Sequence, residues 1–214
     1  MRALILRELR LAGTGGHMLL PLIFFLLVAA LFPFAVGPDR PLLARTGGGA
    51  LWMAALLAAL LPVERLIEPD RANGVLDQFA VRGLAEENVA IAKLVGHWLS
   101  FGPPLMIAAI PAAALMKLPA ALLQRLELGL MVGTPGLAAL TLMVAGLTAG
   151  LRGSGALAGL LMLPLAVPIL IFGAGLAEQE NAAGALKLLA AVSLLLVAAA
   201  PFVTGAAIRA GRSF

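Results

Sequence analysis

Cysteine is absent from the 214 residues. Disulfides, thiolate metal sites and cysteine nucleophiles are therefore excluded. Charge is scarce as well, at 12% Asp, Glu, Lys and Arg, against about 25% in soluble domains. No G-x-x-x-x-G-K-[ST] is present, so the chain has no P-loop for ATP. No H-E-x-x-H occurs, and the only histidines, His17 and His97, have no Asp or Glu close enough in sequence to suggest a metal site. What is abundant is apolar surface. Hydrophobic residues make up 62% and the mean hydropathy is +1.04. A soluble chain of this length could not bury so much, so lipid must serve as solvent. The pI near 10.7 rests on a net charge of only +4, which reads as membrane topology rather than nucleic-acid binding.

The few charges divide the chain. Stretches free of Asp, Glu, Lys and Arg cover 11–38, 46–63, 94–116, 128–151, 153–177 and 188–208. Each has about the 20 residues needed to cross a ~30 Å hydrocarbon core as helix. A barrel would need alternating strands, which these Leu/Ala-rich runs lack. The expectation is an all-α integral membrane protein, one transmembrane domain over 1–214. Its six spans fall at about 17–37, 46–64, 94–116, 128–150, 154–177 and 186–208. The first run is too long for a signal-peptide core and lacks a small-x-small cleavage site, so it reads as a retained helix. Before it, Leu4, Ile5, Leu9 and Leu11 interleave with Arg2, Arg7, Glu8 and Arg10, as in an amphipathic helix lying on anionic lipid. With the N-terminus cytoplasmic, ten Lys/Arg fall inside and five outside. That split predicts both termini in the cytoplasm. The Glu178–Asn181 loop, acidic and without a base before Lys187, fits the outer face.

The long connection, 64–93, falls on the cytoplasmic side. Pro69 is expected to break the helix leaving span two, and Asn73-Gly74 to form a turn. Val75, Leu76, Phe79 and Ala80 then make one apolar face of a short helix. Glu86 and Glu87 suit the positive start of a helix that runs through Lys93 into span three. The plain reading is a solvated connection. The sharper one is a docking element: an apolar stripe of Val75, Leu76 and Phe79 entering a partner's groove, with Asp70, Arg71 and Asp77 as its polar rim and Gly74 as the turn.

Catalytic chemistry is nearly invisible. Ser154, between Gly153 and Gly155, with His97 as base would suit an intramembrane serine protease, but turn residues are expected there anyway. His97 and Trp98 together read as interface anchors rather than haem or metal ligands, and His17 reads likewise. Prolines inside the spans bend helices. Pro33, Gly133, Thr134, Pro135, Pro164 and Pro168 are the bending or gating candidates. The Gly129/Gly133, Gly146/Gly150 and Gly155/Gly159 pairs are no more than the glycine content gives by chance. The spans hold no acid or base apart from the histidines, unlike an ion-coupled carrier.

Six spans, an amphipathic N-terminal segment, no nucleotide site and the loop Asp70-Arg71-Ala72-Asn73-Gly74-Val75-Leu76-Asp77-Gln78-Phe79 resemble an ABC-2 exporter permease. Seven segments in order resemble the cytochrome c maturation protein B (haem exporter protein B) family. These are Leu31–Pro38, Leu42–Arg45, Trp52–Leu57, Glu64-Arg65-Leu66, Ala92-Lys93 with His97-Trp98, Gly133-Thr134-Pro135 and Leu163–Phe172. The resemblance implies the permease subunit of an ABC complex in the bacterial inner membrane, acting in cytochrome c biogenesis. That subunit would be no enzyme, and would bind no cofactor directly, with haem as a substrate of the complex. Its partners would be a separate cytoplasmic ATPase subunit, a second copy of itself, a haem-handling membrane subunit, a small accessory membrane peptide and the lipid bilayer, with no nucleic acid. The complex would export haem or use ATP to release a haem-loaded chaperone. The alternatives are an ABC-2 permease for a lipid or drug, and a non-transporting scaffold of the haem-handling complex.

Overall fold

A computed structural model describes residues 2–13, 19–37, 39–151, 153–176 and 182–212. Arg152, His17 and the acidic loop Glu178–Asn181 lie outside them. The described residues form ten helices and no strand. Six are long and apolar enough to cross a membrane: α2 (Leu19–Val36), α3 (Arg40–Leu60), α7 (Glu86–Leu115), α8 (Ala120–Thr148), α9 (Ser154–Gly175) and α10 (Ala182–Arg212). Before them comes α1 (Arg2–Gly13). Between α3 and α7 lie three short helices, α4 (Val63–Leu66), α5 (Glu68–Ala72) and α6 (Val75–Val81).

The six spans match the six charge-free runs, but several helices are longer. At about 1.5 Å per residue, the 30, 29 and 31 residues of α7, α8 and α10 each exceed a ~30 Å core. Counting charge-free residues finds the part of a helix that sits in hydrocarbon. The helix itself continues into water and carries charges there. The start of α3 at Arg40 follows from Asp39 at the N-cap and Pro41 in the first turn. Its end differs from expectation: α3 stops at Leu60, and Pro62 is the N-cap of α4. Pro69, expected to break that helix, instead sits in the first turn of α5. Asn73-Gly74 does form the turn, with Gly74 left-handed at φ 69.

Helix α8 is the central and most buried span, packed against α3, α7, α9 and α10. Its contacts rest on small residues. The indole of Trp52 from α3 is 1% exposed and lies in a cradle of Gly129 and Gly133 on α8 and Gly173 on α9. A Cβ on Gly133 would fall 2.6 Å from Trp52 Cη2, and one on Gly129 would fall 2.6 Å from Leu176 Cδ1. Gly136 and Gly146 likewise let α10 approach through Ser193 and Thr204. So Gly129, Gly133 and Gly146, discounted on frequency, do set helix packing here. The Thr141 hydroxyl donates across to Ala59 O of α3 at 3.2 Å.

The bending candidates divide. Pro33, Pro135, Pro164 and Pro168 all lie inside helices that continue past them. Gly133 serves the Trp52 cradle. Thr134 is fully buried and accepts a hydrogen bond from Trp98 Nε1 at 3.1 Å, which ties α7 to α8.

Gly133→Ala should overpack the cradle and cost about 1–3 kcal/mol, read as a lower unfolding temperature in detergent. Trp52→Phe in the same chain should recover part of that loss. If Gly133→Ala alone is neutral, the cradle is not tight.

Candidate coupling site

Most charges of the connecting segment are paired within the chain rather than solvated. Asp70, on α5, is 7% exposed. Lys93 of α7 donates to its Oδ2 at 2.6 Å, and the Arg7 fork of α1 reaches both oxygens, at 3.0 and 2.5 Å. Lys93, 3% exposed, also donates to Glu8 Oε2 at 3.3 Å. Arg7 bonds Glu8 Oε1 at 2.6 Å. Two acids and two bases from three segments thus form one neutral cluster. Burial pushes the Asp70 carboxyl upward. The hydrogen bonds from Arg7 and the charge of Lys93 outweigh that and hold it below its ordinary range. The same bond to Asp70 raises the Arg7 guanidinium.

This cluster redefines α1. The sequence suggested an amphipathic helix resting on lipid. Its outer side does expose Leu6 and Leu11, but its inner side is clamped to α7. Gly96 makes the close approach feasible, since a Cβ there would lie 2.5 Å from Glu8 Cβ. Arg7 also sits 5.6 Å from the centroid of the Phe79 ring, linking α1 to α6.

The other acids of the segment hold further elements. Glu64 accepts from the Ser154 hydroxyl at 2.8 Å. Glu68 pairs with Arg71 at 2.7 Å and accepts from Gly150 N at 2.7 Å. Both therefore fasten α4 and α5 to the turn between α8 and α9. Ser154 is bound to a carboxylate, not to an imidazole as a protease nucleophile would be. Glu86 and Glu87, at the start of α7, pair with Arg209 and Arg212 at the end of α10. The segment, α1, the α8–α9 turn and the end of α10 therefore share one end of the bundle.

The expected docking stripe faces the wrong way. Leu76 is 5% exposed and belongs to the core of the bundle, with Phe79 packed half-buried beside it and Val75 also half-buried. Asp70 is no rim residue either. An apolar face shows which side of a helix is covered, but not by what, and here the chain's own spans cover it. The outward face of α6 carries Asp77, Gln78, Val81 and Arg82, all exposed, with Arg71 exposed nearby. Val81 is 89% exposed.

His97 also departs from expectation. It is 5% exposed, stacked on Phe101 with ring centroids 5.8 Å apart, and its Nε2 has no hydrogen-bond partner. It is a buried side chain rather than an interface anchor. It lines a cavity of about 400 Å³ under α1, together with Glu8, Arg65, Asp70 and Lys93. Among the described residues, no three of His, Asp and Glu group as a metal site.

Asp70→Asn should leave Lys93 and Arg7 without their shared partner, at a cost of about 3–5 kcal/mol as for other broken buried pairs. Hydrogen exchange should show α1 released. Acid should do the same to the native chain. Asp70 titrates below its ordinary 3.8 when folded, so its contribution is complete above that value and fades as pH falls through the folded one. Protection of α1 that persists in Asp70→Asn would refute the clamp.

Residues 1–211 match the family model described as CcmB protein. Heme exporter protein B of Rhodobacter capsulatus is 44% identical, and the match covers 98% of each chain. The protein of that name from Paracoccus denitrificans is also 44% identical over 98% of each, and that from Escherichia coli K12 is 38% identical over 94% of each. With six helices of membrane-crossing length and a match across nearly its whole length, the chain is a multi-pass membrane protein that belongs to the CcmB family.

Proposed function

We propose that this chain is the membrane permease subunit of an ABC complex that serves haem export in cytochrome c maturation. Near full-length similarity to proteins named heme exporter protein B is the observation that carries this reading. ATP would be hydrolysed in a separate cytoplasmic subunit, since the sequence has no P-loop. Two copies of the chain would form the membrane core, with a haem-handling subunit and a small membrane peptide beside them. The complex would sit in the bacterial inner membrane with both termini cytoplasmic.

The mechanism proposed is mechanical. The ATPase would bear on the outward face of α6, where Val81 stands almost fully exposed between Asp77 and Arg82. A bare aliphatic side chain on the polar end of a membrane bundle gains about 1.5–3 kcal/mol when covered. Gln78 and the two charges would set orientation more than affinity. A push on α6 would reach α5 through the Gly74 turn. Asp70 would carry it to α1 and α7, and Glu64 and Glu68 to the α8–α9 turn. The segment is fastened to α1, α7 and the α8–α9 turn, so it cannot shift alone.

Two variants separate docking from folding. Val81→Asp should leave expression and unfolding temperature unchanged but cut recovery of the ATPase in detergent pull-down roughly tenfold, about 1.4 kcal/mol. Leu76→Asp should destabilise the chain itself, because it places a charge in the core. Undiminished recovery with Val81→Asp would remove the docking assignment.

Topology is tested by labelling, which the absence of cysteine makes clean. Cysteine at Asn73 should react with an impermeant maleimide only after cells are opened. Cysteine at Arg40 should react in spheroplasts. The reverse pattern would invert the orientation.

A further inference from the structure

A cavity of about 190 Å³ lies where α5 and α6 meet the ends of α8 and α10. Its inner wall is apolar and buried, built from Ile67, Leu76, Gly146 and Ile208. Its mouth carries Arg71, Asp77 and Gly211, all exposed, beside Arg212. Both arginines are already engaged. Arg71 donates from Nε and Nη2 to Glu68 at 2.9 and 2.7 Å, and Arg212 pairs with Glu86. Small-molecule sites enclose about 300–1,000 Å³. This cavity falls short of that range, but has room for one large side chain. Asp77 belongs both to the mouth and to the exposed face of α6, so the opening continues the surface that carries Val81.

We infer that this cavity is a socket for one large apolar side chain projecting from the ATPase subunit. The inference rests on the docking of that subunit at α6 and supplies its anchor. The chemistry of the occupant follows from the inner wall. A charged group pushed that deep would meet Ile67, Leu76 and Ile208 and lose its water without gaining a partner. An apolar group gains by leaving water there. The mouth does not call for an acid, because Glu68 and Glu86 already balance the two arginines and Asp77 adds a negative charge. Val81 and the socket are complementary devices. The first is a knob that a partner covers, and the second receives a knob from the partner. Anchors seated in desolvated pockets carry much of an interface's energy. A side chain in this one touches α5, α6, α8 and α10 together, so its movement bears on two spans directly and not only through the Gly74 turn.

The test fills the socket from within the chain. A Cβ on Gly211 meets nothing within 4 Å, so Gly211→Leu adds its side chain to open space at the mouth. Expression and unfolding temperature in detergent should hold, while recovery of the ATPase in pull-down falls roughly tenfold. Gly211→Ala, which fills little, should keep most of that recovery. A benzophenone side chain introduced at Asp77 should crosslink to the ATPase beside a large apolar residue. Alanine at that residue should lower recovery by the same factor with the otherwise unaltered chain, and no further with Gly211→Leu. Undiminished recovery with Gly211→Leu would overturn the socket, as would crosslinks confined to this chain or to a second copy of it. Val81→Asp distinguishes the socket from the docking on which it rests. If Val81→Asp lowers recovery and Gly211→Leu does not, the socket falls and docking at α6 stands. If neither lowers it, both fall.

Discussion

The buried pair of Asp70 and Lys93 is the interaction on which the rest of this end of the molecule depends. A lysine 3% exposed is costly to bury unless a carboxylate lies beside it. Its carboxylate comes from a different segment, so the two must be brought together before either is tolerable. That requirement fixes α5 against α7. The bidentate Arg7 then fixes α1 over both, and Glu8 closes the circuit. Such a cluster adds little net stability compared with apolar packing, but its cost when broken is high. It favours one arrangement and penalises the alternatives.

The fold was largely readable from charge spacing. Six runs without ionisable side chains became six helices, and Glu86 with Glu87 opened α7 as helix polarity suggests. The Gly74 turn was also visible, because Asn-Gly has few other uses. The site was harder. Asp70 and Arg7 stand 63 residues apart, and Asp70 and Lys93 stand 23 apart. A single sequence gives no sign that such distant charges meet, so Asp70 looked like a solvated rim. The apolar face of α6 was correctly marked as a covered face, but its cover was misjudged. A bundle with a polar end offers its own groove before any partner arrives. The packing role of Gly129 and Gly133 was hidden for another reason: where glycine is common, its pattern is silent, and only the indole lying on it shows which copies matter.

Two kinds of contact recur in the bundle. Ion pairs and charge-assisted hydrogen bonds gather where α1, the short helices and the end of α10 meet. Towards the opposite end, contacts shift to apolar packing, with Met116 and Leu118 closing over Gly47 and Leu176 over Gly129. Paired charges have few good geometries, so the first end is specified sharply.

The shared indole of Trp52 divides the molecule along a line. It touches α8 at two glycines and α9 at a third. A slide of one helical turn by any of the three helices would bring a side chain under the ring. The indole therefore opposes sliding of α3, α8 and α9 past one another. Trp98, bonded to Thr134, adds α7 to the elements held against α8.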